Sequence, residues 1–220
     1  MTISQNRYFD LNPLSGTVPN DQLRFEESVD VIKRACELRL VSDVPVGVFL
    51  SRGVDSTLVT ALLQKKLENP LKTFTIGFDQ TEYDESRYSE EVAEYLGTDH
   101  HTFQCTQADA LSLLEQLPDV YCEPIGDAIV IPTMFLCKKA KAYVKVAISG
   151  EGGDEFFGGY SYYLRIRKYQ QIPYLLRQLM GKGLSKIGCF FPPRLSHKVT
   201  KWCQVMQSCT GIQMQDALYH

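Results

Sequence analysis

Apolar residues return along this chain in two alternating rhythms: short unbroken runs, and longer stretches at three- and four-residue spacing. Phe25, Val29, Ile32 and Cys36 fall at helical spacing and predict an amphipathic helix over 25–40. The run 46–50 is short, apolar and β-prone, and predicts a buried strand. It leads into the polar segment 51–56. A helix is expected next, with Leu58 and Leu62 on one row and Val59, Leu63 and Leu67 on the neighbouring row. The unit repeats as a strand over 71–78, a helix over about 84–97 with Tyr88, Val92 and Leu96 inward, and a strand over 101–105. Helices over about 107–117 and 130–143 precede a fourth strand, 144–148.

Alternating strands and helices predict an α/β fold with a doubly wound parallel sheet. In such sheets a ligand sits beyond the carboxyl ends of the strands, where strand order reverses. The polar turn 51–56 and the Gly-rich turn 149–160 each follow a strand at that edge. Residues 1–24, with Pro13, Gly16 and Pro19 and no clear period, read as a lead-in. From 161 the chain is rich in Leu, Lys and Arg, with Tyr174, Leu175, Leu176 and Leu179 on one helical face. Gly181, Gly183, Pro192 and Pro193 are expected to break that helix, and a weaker one to resume after Ser196. The expected organisation is therefore a lead-in (1–24), an α/β core (25–160) and an incomplete helical region (161–220).

The turn 51–56 carries the chemistry of an anion site. A short strand-to-helix turn leaves backbone N–H groups unpaired, and the helix dipole adds partial positive charge. Ser51 and Ser56 bring hydroxyls, and Gly53 allows close backbone approach. Asp55 would repel a phosphate alone, so a carboxylate here implies a Mg²⁺ between them. Taken alone, the turn also reads as a capped helix start. There is no G-x-x-x-x-G-K-[ST], and Glu155 stands where a G-x-G-x-x-G fingerprint needs its third glycine. In the second turn, five of the chain's 15 glycines fall within ten residues, interleaved with Glu151, Asp154 and Glu155. Acids repeated directly after a buried strand point to metal or nucleophile handling, against the plainer reading of a solvated loop.

Composition narrows the field a little. A net charge of −3 argues against a nucleic-acid partner. Seven cysteines without a C-x-x-C pair read as reduced packing residues in a cytoplasmic protein. Met1 to Asp10 lacks the order of a signal peptide, and no run approaches the ~20 apolar residues of a membrane span.

The segments 43–51 and 149–155 resemble the synthetase domain of glutamine-dependent asparagine synthetases. Between them, Thr73 to Phe78, Tyr83-Asp84-Glu85, Gly97 to His101 and Glu123-Pro124 follow in the family's order. The resemblance covers about 8–160 and implies a sheet of the adenine-nucleotide α-hydrolase-like type. It further implies that ATP activates the β-carboxylate of aspartate as β-aspartyl-AMP, releasing pyrophosphate, and that ammonia then displaces AMP. By motif position Ser51, Gly53, Asp55 and Ser56 would hold pyrophosphate, with Asp55 and Asp154 near Mg²⁺. Leu50, Ile76, Ser149 and Gly150 would line the adenosine site, and Glu151 would serve as acid/base in the ammonia step. Asp84 and Glu85 read as assisting the site or equally as helix-start acids, His100 and His101 as packing residues, Glu123 and Asp127 as either substrate-facing or solvated, and Trp202 as core or interface.

Three departures qualify the expectation. The family turn reads Ser-Gly-Gly-x-Asp-Ser, and Arg52 replaces its first glycine. Were φ positive there, an arginine would cost roughly 1–2 kcal/mol; impaired ATP use is expected, with a compensating charge as the alternative. Met1 is followed by Thr2 instead of the family's nucleophilic cysteine, so a glutaminase domain is expected to be missing, with free ammonia or a separate partner in its place. The family's Arg-Asp-Arg and Glu-x-Arg-x-Pro-Phe signatures do not occur before His220, so the chain reads as a fragment with a separate C-terminal partner, and the apolar face left by the missing helices predicts self-association as a homo-oligomer. An amidotransferase acting on another carboxylate, such as a surface-polysaccharide sugar or a β-lactam-type substrate, is the near alternative. A non-catalytic remnant is the distant one.

Overall fold

A computed structural model of the chain describes residues 21–82, 84–188, 203–206 and 208. The expectations for 1–20, Tyr83, Pro192, Pro193 and Trp202 lie outside these residues. The chain divides after Gly150 into two compact units.

The first unit alternates strands and helices: α1 (Asp21–Arg39), β1 (Val46–Phe49), α2 (Val54–Lys66), β2 (Lys72–Phe78), α3 (Ser86–Leu96), β3 (Asp99–Cys105), α4 (Gln107–Leu114), α5 (Leu117–Val120), α6 (Val130–Ala140) and β4 (Val146–Ile148). All strand pairs are parallel, in the order β3-β2-β1-β4, with Val48 opposite both Thr73 and Ile148. The chain thus steps from β1 outward to β3 and then returns to the other flank of β1. Strand order reverses between β1 and β4, and a parallel α/β sheet opens its ligand crevice at such a point.

Side chains alternate across each strand, so the two faces have separate cores. Val48 packs with Cys36, Leu63 and Leu71 beneath α1 and α2. Phe74 packs on the other face with Leu136, Ala140 and Val144, where Phe49, Ile76 and Phe103 join it. Cys105, Leu113, Val130, Met134 and Phe135 extend that second core through α4 and α6.

Two expected helix faces need correction. In α3 the buried positions are Ser86, Ser89 and Ala93, while Tyr88 is exposed and Val92 and Leu96 are half-buried. Small residues let the helix backbone sit close to β2 and β3, against which it packs. In α1, which begins at Asp21, only the carboxyl half reaches the core: Ile32 and Cys36 pack, whereas Phe25 and Val29 are exposed.

The second unit contains α7 (Gly153–Phe157), α8 (Ser161–Gln170) and α9 (Tyr174–Gly188), with residues 203–206 also helical. Gly181 and Gly183 do not break α9, which runs through both. A helical glycine costs about 1 kcal/mol yet keeps its backbone hydrogen bond. The leucine face is also turned the other way: Leu175, Leu176 and Leu179 are exposed, and Arg177 is the buried residue. Its guanidinium donates to the carbonyls of Ile172 and Ser208, each at 3.2 Å. Ile166 and Val205 form a small core with Tyr162 and Tyr169. The five described cysteines form no disulfide. No described helix is long and apolar enough to cross a membrane.

Candidate functional site

The turn between β1 and α2 is folded around its two serine hydroxyls. Ser51 Oγ and Ser56 Oγ lie 2.8 Å apart. The amide of Ser51 donates to Ser56 Oγ at 3.1 Å, and the amide of Gly53 donates to Ser51 Oγ at 3.2 Å. Ser56 Oγ also lies 3.1 Å from the carbonyl oxygens of Ser51 and Gly53, either of which can accept its single proton. Gly53 is the N-cap of α2 in an extended conformation, and no side chain caps it. The first turn of the helix therefore keeps its partial positive charge uncompensated by a cap. Asp55 sits in that turn, half-buried and without a hydrogen bond among the described residues.

Behind the turn, the strand ends are locked together. The Leu50 amide donates to the Phe74 carbonyl at 2.9 Å, and Thr75 Oγ1 donates to the Leu50 carbonyl at 2.5 Å. Thr60 Oγ1 donates to the Ser56 carbonyl at 2.7 Å. Thr75 and Thr60 support the turn without being singled out by sequence; two buried threonines in apolar elements were the available signal. Gly150, where β4 leaves the sheet, lies against the same place. A Cβ at 150 would stand 2.6 Å from the Ser56 amide nitrogen and 2.9 Å from the Asp55 carbonyl carbon. The ends of β1 and β4 and the start of α2 thus meet at backbone contact, at the point where strand order reverses.

Arg52 adopts no positive φ, a conformation absent from every described non-glycine residue. The backbone strain expected at this position is therefore not present. Its side chain leaves the turn toward α3: Nη1 donates to Glu85 Oε1 at 3.3 Å, and the guanidinium lies 5.2 Å from the centre of the Tyr88 ring. The start of α3 is itself braced by Asp84, whose Oδ1 accepts from the amides of Ser86 at 3.1 Å and Phe78 at 3.4 Å. Desolvation raises the Asp84 carboxyl, but hydrogen bonds from Ser86 and Phe78 outweigh it and hold the group below the ordinary carboxylate value.

Of the other expected residues in this unit, Leu50 is buried, and Ile76 is half-buried in the core packed against α6. Ser149 is exposed at the end of β4. Glu123 and Asp127 lie in the exposed segment 122–129, where Leu117, Tyr121, Cys122, Glu123 and Pro124 are among the residues lining a groove of about 450 Å³. His100 and His101 belong to β3: His100 Nδ1 is 2.8 Å from Thr73 Oγ1, and burial lowers its pKa. The His101 ring stacks with Phe74 and Phe103 and meets the Tyr143 ring at a tilt.

In the second unit Glu151 is exposed, and Asp154 is half-buried in the first turn of α7. The expected loop is a short helix bracketed by Gly152 at φ 94° and Gly158 at φ 67°, backbone conformations that favour glycine. Glu155 accepts from Tyr160 Oη at 2.5 Å, which lowers its pKa. Among the described residues no group of three His, Cys, Asp or Glu side chains could hold a metal ion.

A family model described as asparagine synthase matches residues 28–209. The chain is 33% identical over 202 residues to the glutamine-hydrolysing asparagine synthetase 1 of Bacillus subtilis, covering 85% of this chain and 32% of the relative. The glutamine-hydrolysing asparagine synthetase 2 of Arabidopsis thaliana is 37% identical over 148 residues, covering 61% of this chain and 25% of the relative. The maize enzyme of the same name is 34% identical over 171 residues, covering 71% and 28%. The chain therefore spans about a quarter to a third of the length of these relatives. A solved ammonia-dependent NAD synthetase from Campylobacter jejuni has a TM-score of 0.44 at 13% identity, covering 90% of this chain and 95% of its own.

Proposed function

This chain belongs to the asparagine synthase family, and from that premise we propose that it is the nucleotide-holding part of an ATP-dependent carbon–nitrogen ligase. In this reading the turn 51–56 holds the pyrophosphate end of ATP, with the Ser51 and Ser56 hydroxyls, the amides around Gly53 and the α2 dipole facing the phosphates. The observation that carries it is the backbone contact of Gly150 with Asp55 and Ser56. It brings the two family motifs of this unit together at an uncapped helix start, on the sheet edge where a nucleotide is expected.

The substrate oxygen is the β-carboxylate of aspartate, which attacks the α-phosphorus as the bond to pyrophosphate breaks. Ammonia then attacks the acyl carbon, AMP leaves, and one proton from nitrogen passes to a base. Glu151 is assigned to that proton. Asp55 is assigned to Mg²⁺ as a half-buried carboxylate with no hydrogen bond to a described residue, since Mg²⁺ needs only one or two carboxylates beside substrate phosphates; Asp154 is assigned by motif position alone. The bound ion would neutralise charge on the pyrophosphate oxygens. Leu50, Ile76, Ser149 and Gly150 are assigned to the adenosine side, in a reducing cytoplasmic setting. By their names the relatives hydrolyse glutamine.

The test is calorimetric titration of the chain with Mg-ATP, followed by assay of pyrophosphate release with ammonia and with aspartate. Saturable binding with aspartate-dependent release is expected. A folded chain that binds no Mg-ATP would sink the reading. Binding with release driven by another carboxylate would move the assignment to a related amidotransferase.

A further inference from the structure

We propose that Arg52 is a binding residue for the polyphosphate of the nucleotide, held by Glu85 until the phosphate replaces that carboxylate. The proposal rests on the nucleotide reading above and deepens it. The first observation is charge. Among the segments of the first unit at the carboxyl edge of the sheet are 51–56, 79–85 and 149–150, together with 121–129, which enters the amino end of α6. In sequence they carry one, four, no and two carboxylates respectively, and Arg52 is their single Lys or Arg. A polyphosphate arriving at these acidic segments would be favoured by a cation in addition to any Mg²⁺.

The second observation is how Arg52 is held. Its guanidinium makes one hydrogen bond among the described residues, to Glu85, and that pair is 58% and 56% exposed. An ion pair so open to water is weak. The Tyr88 ring supports the guanidinium at 5.2 Å, and such an interaction engages the face of the cation and leaves its in-plane N–H groups available. A guanidinium meets phosphate through two parallel N–H bonds, a stronger arrangement than the single bond to Glu85. Its parent residue lies between Ser51 and Gly53, within the turn that faces the phosphates, and its backbone is free of positive-φ strain. The residue that departs from the family pattern is therefore a charge added to the site, with Glu85 as the internal competitor.

The experiment is calorimetry with Mg-ATP, and with inorganic pyrophosphate plus Mg²⁺, on the full chain and on Arg52→Gln, Arg52→Lys, Glu85→Gln and the Arg52→Gln/Glu85→Gln pair. Thermal melting of each variant checks folding. Arg52→Gln is expected to weaken both ligands by about tenfold, the scale of a charged hydrogen bond, with Arg52→Lys between it and the parent. Glu85→Gln is expected to tighten binding, and that gain is expected to vanish when Arg52 is also Gln. Equal or tighter binding by a folded Arg52→Gln overturns the proposal while leaving the nucleotide reading intact. A Glu85→Gln gain of the same size in both backgrounds overturns the exchange and assigns the effect to bulk charge. Failure of the parent to bind either ligand overturns the nucleotide reading and this proposal with it.

Discussion

Gly150 is the residue at which the site is most sensitive to a single carbon atom. The atoms a Cβ would meet are the Ser56 nitrogen and the Asp55 carbonyl carbon, both backbone, so neither can swing aside as a side-chain tip would. Gly150→Ala should therefore push β4 away from α2, at a cost of about 1–3 kcal/mol typical of overpacking, and should weaken Mg-ATP binding. Thermal melting and calorimetry read the two effects; a variant that melts and binds like the parent would show that the contact is not tight in solution. Ser56 is sensitive for the opposite reason. Its hydroxyl accepts from the Ser51 amide and closes the turn, so Ser56→Ala should cost about 0.5–1.5 kcal/mol, the scale of one part-buried hydrogen bond, again read by melting. The position of this turn was legible in the sequence, because a short apolar run followed by Ser, Gly, Asp and Ser and then by helical spacing marks a strand-to-helix turn. The backbone state of Arg52 was not. The strain expected there depended on a torsion angle, which residue spacing does not encode, and the side chain's destination lies 33 positions away at Glu85.

At the scale of elements, α3 ties the candidate site to the rest of its unit through a titratable brace. Asp84 accepts from two backbone amides, one in β2 and one at the start of α3, and its folded pKa lies below the ordinary value of 3.8. A carboxylate lowered on folding adds stability that is complete above its unfolded pKa and is lost as pH falls through the folded value. Asp84→Ala should accordingly lower the melting temperature near neutral pH, and the gap to the parent should close as pH drops below 3.8. A gap independent of pH over that range would remove the charge from the explanation. The strands and most helices of this unit were readable because unbroken apolar runs and three-to-four spacing are direct consequences of burial. The inward face of α3 was misread because large apolar residues were taken to mark it. Ser86, Ser89 and Ala93 are buried there instead, since close helix-to-sheet approach selects small side chains that hydropathy overlooks. The glycines of α9 were misread as breaks for a related reason: a local preference of about 1 kcal/mol does not decide a helix of 15 residues.

For the whole molecule, the division after Gly150 falls inside a sequence motif that reads as one continuous turn. Sequence presents 149–160 as a single signal, whereas the chain gives Ser149 and Gly150 to the sheet unit and Glu151 onward to the helical one. The expected boundary at 160 followed composition, and composition changes only after the motif ends. The helical unit carries the clearest consequence for behaviour in solution. Leu175 and Leu179 are four residues apart on α9 and 76% and 69% exposed, with Leu176 and Met180 forming a second exposed row. Arg177 takes the buried side, so the described first turns of α9 expose apolar residues and bury a charged one. Apolar stripes of this kind favour association, and a net charge of −3 on 220 residues offers little repulsion against it. Sedimentation velocity should show the mean mass rising with concentration, and the Leu175→Lys/Leu179→Lys variant should return the chain toward monomer. Because both side chains are exposed, the double variant should keep its melting temperature, which separates loss of association from loss of folding. A parent that stays monomeric across the concentration range would mean that this stripe does not drive self-association.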